Sequence, residues 1–255
     1  MVQDNQQELP FKGAKYFAGP DHQVGVLLLH AYTGSTRDMN LLGRLLNRQG
    51  YSVLIPLFSG HDTKDIRNVL NYSPRIWQQE AHSALEWLLQ QGFKQVFVFG
   101  LSMGGVLAGD LLSLHRYLLA GGGVFNAPLV TKEPIDISQA FMNLGEKLAR
   151  IRGEQADYME EYDHILAGHW QQMTELEQIK QEIQPRLPQV NLPFYIGQSG
   201  QDELIDPQDS YLLKAHLSQA EVDFHYFPYN THSIPTNPKR HDFDQSVLAF
   251  LQALT

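Results

Sequence analysis

From residue 24 to about residue 127 the chain alternates short unbroken apolar runs with longer stretches whose apolar residues return every three or four positions. The runs are Val24-Gly25-Val26-Leu27-Leu28-Leu29, Tyr51-Ser52-Val53-Leu54-Ile55, Gln95-Val96-Phe97-Val98-Phe99 and Gly121-Gly122-Gly123-Val124-Phe125-Asn126. Rich in β-branched and aromatic side chains, they read as strands buried on both faces. Between them, Thr36 to Gln49 carries Leu42, Leu45 and Leu46 on one side and stops at Gly50. Ser73-Pro74 opens a helix with Trp77, Ala81, Ala84, Leu85 and Leu88 turned inward, running to Gly92. A capping serine before a first-turn proline is a start signal, and a glycine past the last apolar position is a stop. A short edge strand is expected around Ala14 to Ala18. Strand and helix alternating at crossover spacing predict an α/β fold: a mostly parallel central sheet flanked by helices.

The alternation breaks after the strand ending near residue 126. From Thr131 to Val190 the pattern is helical throughout. Ile137, Phe141, Leu144, Leu148 and Ile151 form one amphipathic stripe, and Tyr158, Tyr162, Ile165 and His169 suggest another. Thr174 with Glu177 three residues on predicts a capping box opening a third helix, with Leu176, Ile179 and Ile183 inside. This span holds 11 acidic and 6 basic side chains, more than half of the whole chain's net charge of −9. Residues 131–190 are therefore expected to form a helical cap, acidic outside and apolar inside, over a core made of residues 1–130 and 191–255. The bland alternative is a helical hairpin that only pads the core. Beyond it, Pro193 to Gly197 reads as a strand, Asp206-Pro207 starts a helix to about Leu217, Glu221 to Phe227 is a half-buried strand, and a helix closes the chain from about Asp242 to Leu254.

Composition narrows the function classes. The 43% hydrophobic content is that of a globular chain, and no apolar run approaches the ~20 residues needed to cross a membrane. The polar start, Met1 to Glu8, has no basic or apolar block; it reads as a loose tail without a secretory signal, making the cytoplasm the default location. With no cysteines, disulfides, thiolate chemistry and cysteine metal sites are excluded. The negative balance argues against nucleic acid and anionic membranes as partners. No metal-binding or nucleotide-binding pattern competes, so no metal and no cofactor are expected.

The chemistry centres on Gly100-Leu101-Ser102-Met103-Gly104-Gly105, a G-x-S-x-G turn between a strand and a helix. There the serine sits on a sharp bend with its hydroxyl above the sheet edge, and the glycines keep strand and helix from colliding. Ser102 needs a base and a group that orients that base. In an open parallel sheet such groups gather at the carboxyl ends of strands. After the Pro193 strand, Asp206 is better explained as a helix cap before Pro207, which leaves Asp202 as the acid. Of eleven histidines, His216 falls on a helix, His225 in a strand and His241 at a helix start, while His232 occupies the loop after the last strand. The oxyanion would take its N–H donors from Met103, just after the nucleophile, and from Tyr32 after the early strand. The triad alone leaves open ester, thioester or amide hydrolysis and acyl transfer; a binding module with a vestigial pocket is a weaker alternative.

Leu27-Leu28-Leu29-His30-Ala31-Tyr32-Thr33-Gly34, Gly100 to Gly105, Gly200 to Pro207 and Asn230 to Ile234 together resemble the α/β-hydrolases of the bacterial carboxylesterase group related to monoacylglycerol lipases. The resemblance runs from about residue 14 to the end. It implies an α/β-hydrolase fold, Ser102, Asp202 and His232 as triad, Tyr32 and Met103 as oxyanion donors, and residues 131–190 as a small lid. It also implies a small-molecule ester as substrate. An apolar cap with an acidic exterior favours neutral short- to medium-chain or aromatic acyl esters, with Phe141, Tyr158, Tyr162 and Trp170 as the expected aromatic contacts. Two departures stand out: Ala31 where the family usually has glycine, and Asp62 after Gly60-His61 where glycine is more common.

Overall fold

A computed structural model describes residues 11–20 and 22–255; the polar start, Met1 to Glu8, lies outside the described residues. The apolar runs form β2 (Val24–Leu29), β3 (Ser52–Ile55), β4 (Gln95–Leu101) and β5 (Gly121–Phe125), with β1 (Lys15–Phe17) before them and β6 (Phe194–Ser199) and β7 (Val222–Phe227) after. They make one 7-stranded sheet in the order β1-β3-β2-β4-β5-β6-β7. β1 is an antiparallel edge strand on β3, and the remaining neighbours pair in parallel. The order reverses between β2 and β4, where Leu29 pairs with Gly100. In open α/β sheets that reversal opens a crevice at the strands' carboxyl ends.

Successive residues of a strand face opposite sides of the sheet, so each unbroken run feeds two cores. Val26, Leu28, Phe97 and Phe99 pack with Met39, Leu42 and Leu46 of α1 (Thr36–Arg48) and with Phe243 and Val247 of the C-terminal helix. Leu27, Leu29, Val96 and Val98 pack on the other face against α3 (Pro74–Gln90), which follows the short α2 (Arg67–Leu70), and against α4 (Met103–Leu114). Each such aliphatic side chain, fully buried, contributes about 1.5–3 kcal/mol. Serine caps hold the starts of α1 and α3: Ser35 Oγ accepts the Arg37 N–H at 3.2 Å and Ser73 Oγ the Arg75 N–H at 3.1 Å.

Between β5 and β6 lie α5 (Ser138–Arg152), α6 (Gln155–Glu160), α7 (Tyr162–Ile183) and a turn of tighter helix, Gln184–Gln189. Two expectations are corrected here. Thr174 does not open a helix: α7 runs straight through it, and its hydroxyl donates to the Trp170 carbonyl one turn back at 2.9 Å. The stripe on α5 does not stay buried to its end: Phe141, Met142, Gly145 and Ala149 face inward, whereas Ile151 is 69% exposed. The insertion's carboxylates lie on its outside, about half exposed, and several are paired. Arg67 reaches Glu154 at 3.1 Å and Glu161 at 3.0 Å, Arg75 reaches Glu182 at 2.7 Å, and Ser73 Oγ donates to Glu175. Carboxylates of the insertion thus meet the segment around α2 and the start of α3. The chain ends through α8 (Asp209–His216) and α9 (His241–Leu254).

Candidate active site

β4 ends at Leu101 and α4 begins at Met103, so Ser102 makes the bend. Its backbone is held at φ 54, ψ −120, a conformation that costs a side-chain-bearing residue about 1–3 kcal/mol. The surroundings enforce it. The Ser102 N–H donates to the Phe125 carbonyl at 2.9 Å, and its own carbonyl accepts from Gly105 at 2.8 Å and Val106 at 3.1 Å. A Cβ on Gly100 would collide with the Gly104 carbonyl, and one on Gly104 with the carbonyls of Leu29 and His30. The Ser102 side chain does not cap the helix it precedes, and the residue lines a cavity of about 410 Å³.

Tyr32 and Met103 line the same cavity. Among the described residues neither backbone N–H donates to a protein acceptor, which leaves two donors beside Ser102. The loop carrying Tyr32 is fixed from behind. Buried His30 donates from Nδ1 to the Ala31 carbonyl at 2.9 Å and accepts the Phe58 N–H at Nε2, 3.1 Å away, an arrangement that only the neutral ring satisfies. Desolvation, aided by neighbouring His61, pushes its pKa down to about 3. Asp38 Oδ2 accepts the Ala31 N–H at 3.2 Å, and burial pushes that carboxyl up to about 6. Ala31 is not among the residues with positive φ, so its methyl group costs nothing. Asp62, at φ 54, does take the left-handed backbone that glycine adopts freely.

The Tyr32 side chain reaches into the insertion. Its hydroxyl donates to Gln172 Oε1 at 2.7 Å and meets His169 Nδ1 at 3.2 Å, while Gln172 Nε2 donates to the carbonyls of Val69 and Tyr72. Phe141 stacks on both the Tyr32 and the His169 rings, with centroids 5.7 and 4.5 Å apart.

Asp202 follows β6 and His232 follows β7, and the two meet: His232 Nδ1 lies 2.9 Å from each carboxylate oxygen. The Asp202 side chain is fully buried, and its Oδ1 also accepts the N–H groups of Leu204 at 3.0 Å and Ile205 at 3.1 Å. A proton on Nδ1 is the tautomer this contact selects, which leaves Nε2 with its lone pair. Asp206 accepts the Gln208 N–H at 2.9 Å in the turn before α8, a capping contact made slightly ahead of the first helical residue. Sequence reasoning missed the groups that hold the histidine loop. Glu203 Oε2 accepts the His232 N–H at 2.9 Å, and Asn126, buried at φ 45, donates from Nδ2 to the His232 carbonyl at 2.6 Å and to Ser199 Oγ at 2.9 Å. The one signal in the sequence is an asparagine at a strand end, a residue type that tolerates left-handed backbone.

This geometry separates the two aspartates. Asp202→Asn is expected to cost on the order of ten-thousand-fold in turnover, because the amide presents the wrong hydrogen to His232. Asp206→Ala is expected to cost about 1 kcal/mol of stability with turnover largely kept. Steady-state kinetics and thermal melts of both variants check this; the reverse pattern would make Asp206 the acid.

Of the four aromatics expected at the substrate, Trp170 lines the cavity. Phe141, Tyr158 and Tyr162 are not among its lining residues. Phe141 is buried against Tyr32, Tyr158 is buried with its hydroxyl donating to the Met142 carbonyl at 3.0 Å, and Tyr162 packs on the core. The wall is instead aliphatic: Val106 of α4, Ile135 and Ile137 before α5, Met173 and Leu176 of α7, and Ile205 beyond Asp202.

Comparison with known proteins places this architecture. The chain is 23% identical over 239 residues to a carboxylesterase of Bacillus subtilis, covering 93% of this chain and 95% of that one. It is 25% identical over 217 residues to a thermostable monoacylglycerol lipase of a Bacillus species, covering 83% of each. Among solved structures, a metagenome-derived lipolytic enzyme superposes with a TM-score of 0.74 at 20% identity, over 95% of this chain and 99% of that one. These neighbours share the α/β-hydrolase fold. The model of the serine aminopeptidase, S33 family of hydrolases matches residues 20–239, and the chain belongs to that family.

Proposed function

We propose that the protein is a serine carboxylesterase acting on neutral, partly hydrophobic acyl esters, with Ser102, His232 and Asp202 as its triad and the N–H groups of Tyr32 and Met103 as its oxyanion hole. One observation supports this most: a serine on a strained bend shares an apolar cavity with two free backbone donors, while a buried Asp–His pair stands at the ends of the strands beyond it. In the proposed mechanism His232 Nε2 takes the Ser102 proton as Oγ attacks the ester carbonyl, and Asp202 stabilises the imidazolium. The oxyanion rests on Tyr32 and Met103, each such donor being worth about 10²–10³ in rate. The proton then passes to the departing alcohol. Water, activated by the same histidine, hydrolyses the acyl-serine. The relatives named carboxylesterase and monoacylglycerol lipase agree with this reading.

Peptide-amine hydrolysis, which the family description suggests, fits less well. A free amino terminus calls for a carboxylate whose charge is not already neutralised, and among the described lining residues the charge of the one carboxylate, Glu177, is met by the Lys180 ammonium at 2.6 Å. The test is a panel of aliphatic and aromatic esters, matched thioesters and amino-terminal peptide amides, with covalent labelling by a serine-directed probe. Ester turnover with labelling at Ser102 is expected; faster turnover of the peptide amides would reverse the assignment.

In this reading the inserted helices serve as a lid whose inner wall selects the acyl group. Trp170→Ala is expected to shift the kcat/KM ratio between short and bulky esters by about ten-fold. Tyr158→Ala, outside the cavity, is expected to lower stability by about 3 kcal/mol or more with the ratio near wild type. The ester panel and a denaturation curve separate the two.

A further inference from the structure

The cavity wall is aliphatic along most of its length, yet two charged side chains interrupt it. Lys180 of α7 lines the cavity and is 4% exposed. Its ammonium donates to Glu177 Oε2 at 2.6 Å and to Thr131 Oγ1 at 3.0 Å. An ammonium has three donors, so these partners leave one unspent. Glu177, three residues earlier, lines the same cavity at its partly exposed side, and its second oxygen has no protein partner among the described residues. As a helix staple the pair makes little sense. An ion pair at this spacing contributes little beside what it can cost to bury an ammonium. An unbranched apolar residue at position 180 would pack there without that penalty. A few fixed polar groups in an otherwise apolar pocket are what orient a ligand.

We propose that Lys180 and Glu177 form a polar subsite for a hydroxyl group that the ester substrate carries away from the scissile bond. The inference rests on the esterase reading above and names a substrate class for it. A hydroxyl matches both groups at once, accepting from the ammonium and donating to the free carboxylate oxygen. A carboxylate at this point would face Glu177, an ammonium would face Lys180, and an alkyl end would leave the remaining donor unpaired in a desolvated wall. The hydroxyl belongs either to the acid or to the alcohol of the ester, and the experiment distinguishes them.

Two matched pairs of substrates are needed. The first is an alkyl ester of a straight-chain acid with and without a terminal hydroxyl. The second is the plain acid esterified to a straight-chain diol or to the monohydric alcohol of equal length. The wild-type enzyme is expected to favour the hydroxylated member of one pair by roughly ten-fold or more in kcat/KM, and that pair identifies the side of the ester that carries the group. Lys180→Met is expected to bring that ratio to about one. Should this single variant melt early because Glu177 is left without its partner, Lys180→Met with Glu177→Met removes both charges together and carries the same expectation. Ratios near one in both pairs for the wild type, or a preference that survives the substitutions, would overturn the subsite while ester hydrolysis stands. No turnover of any ester would overturn the esterase reading and the subsite with it.

Discussion

Ser102→Ala is expected to reduce ester turnover by roughly a million-fold while the protein remains folded. The Ser102 hydroxyl sits at the bend and lines the cavity, whereas the other hydroxyl and amino groups on its wall are engaged elsewhere: Tyr32 on Gln172, Thr174 on the Trp170 carbonyl and Lys180 on Glu177 and Thr131. The residual rate should reflect the cavity and the oxyanion donors alone. A companion variant sharpens the expectation. Position 102 sits at φ 54, which glycine adopts without strain, so Ser102→Gly should be as inactive as the alanine variant and more stable than wild type by about 1–2 kcal/mol. Circular dichroism melts beside single-turnover kinetics would read both effects. Wild-type turnover in a folded Ser102→Ala protein would end the proposed mechanism.

Acid is expected to unfold the protein over a window set by buried histidines. Desolvation pushes His30 down to about 3 and His61 and His169 down to about 4. Each is nearly sealed from water; His30 is committed as an acceptor at Nε2, and the Nε2 atoms of His61 and His169 have no partner among the described residues. The unfolded chain binds these protons near pH 6.5 and the folded one does not. Stability is therefore full above about pH 6.5 and declines as pH falls toward 4, on the order of 3 kcal/mol for each ring. Asp38 opposes this. Its raised pKa means that the folded state gains a proton first, so its contribution strengthens as pH falls through about 6. Asp209 and Asp244, also raised by burial, act the same way as Asp38, but the three imidazoles carry the larger shifts and outweigh them, and their sum rivals the 5–15 kcal/mol that a typical domain has to give. Urea denaturation from pH 7.5 to 4.5 checks the sign. A flat or rising stability over that range would show that these rings accept protons in place.

The bend at Ser102 was legible because its requirements are local: a strand run, two glycines that keep carbonyls apart, and a helix. The pairing of loops after β6 and β7 was legible from topology, since strand order alone brings Asp202 and His232 to one end of the sheet. Asn126 and Glu203 were not. They hold the histidine loop through side-chain-to-backbone bonds across about a hundred and about thirty residues, and such bonds leave no periodic trace. The insertion misled in a different way. Thr174 and Glu177 have capping-box spacing, but apolar neighbours on both sides carry α7 through them, and tertiary packing outweighs a local start signal. Periodicity also cannot say whether an inward face meets a core or a cavity. Phe141 and Tyr158 met the first and Trp170 the second.

Tyr32 belongs to two machines at once. Its backbone stands at the proposed oxyanion site, while its phenol is gripped by Gln172 and His169 on the longest inserted helix. A ligand that pries α7 outward therefore pulls on the donor that its own transition state requires. Crowding in the wall should register as slower acylation at saturation, not as weaker capture, so bulk and rate are coupled through one tyrosine and not through the whole lid.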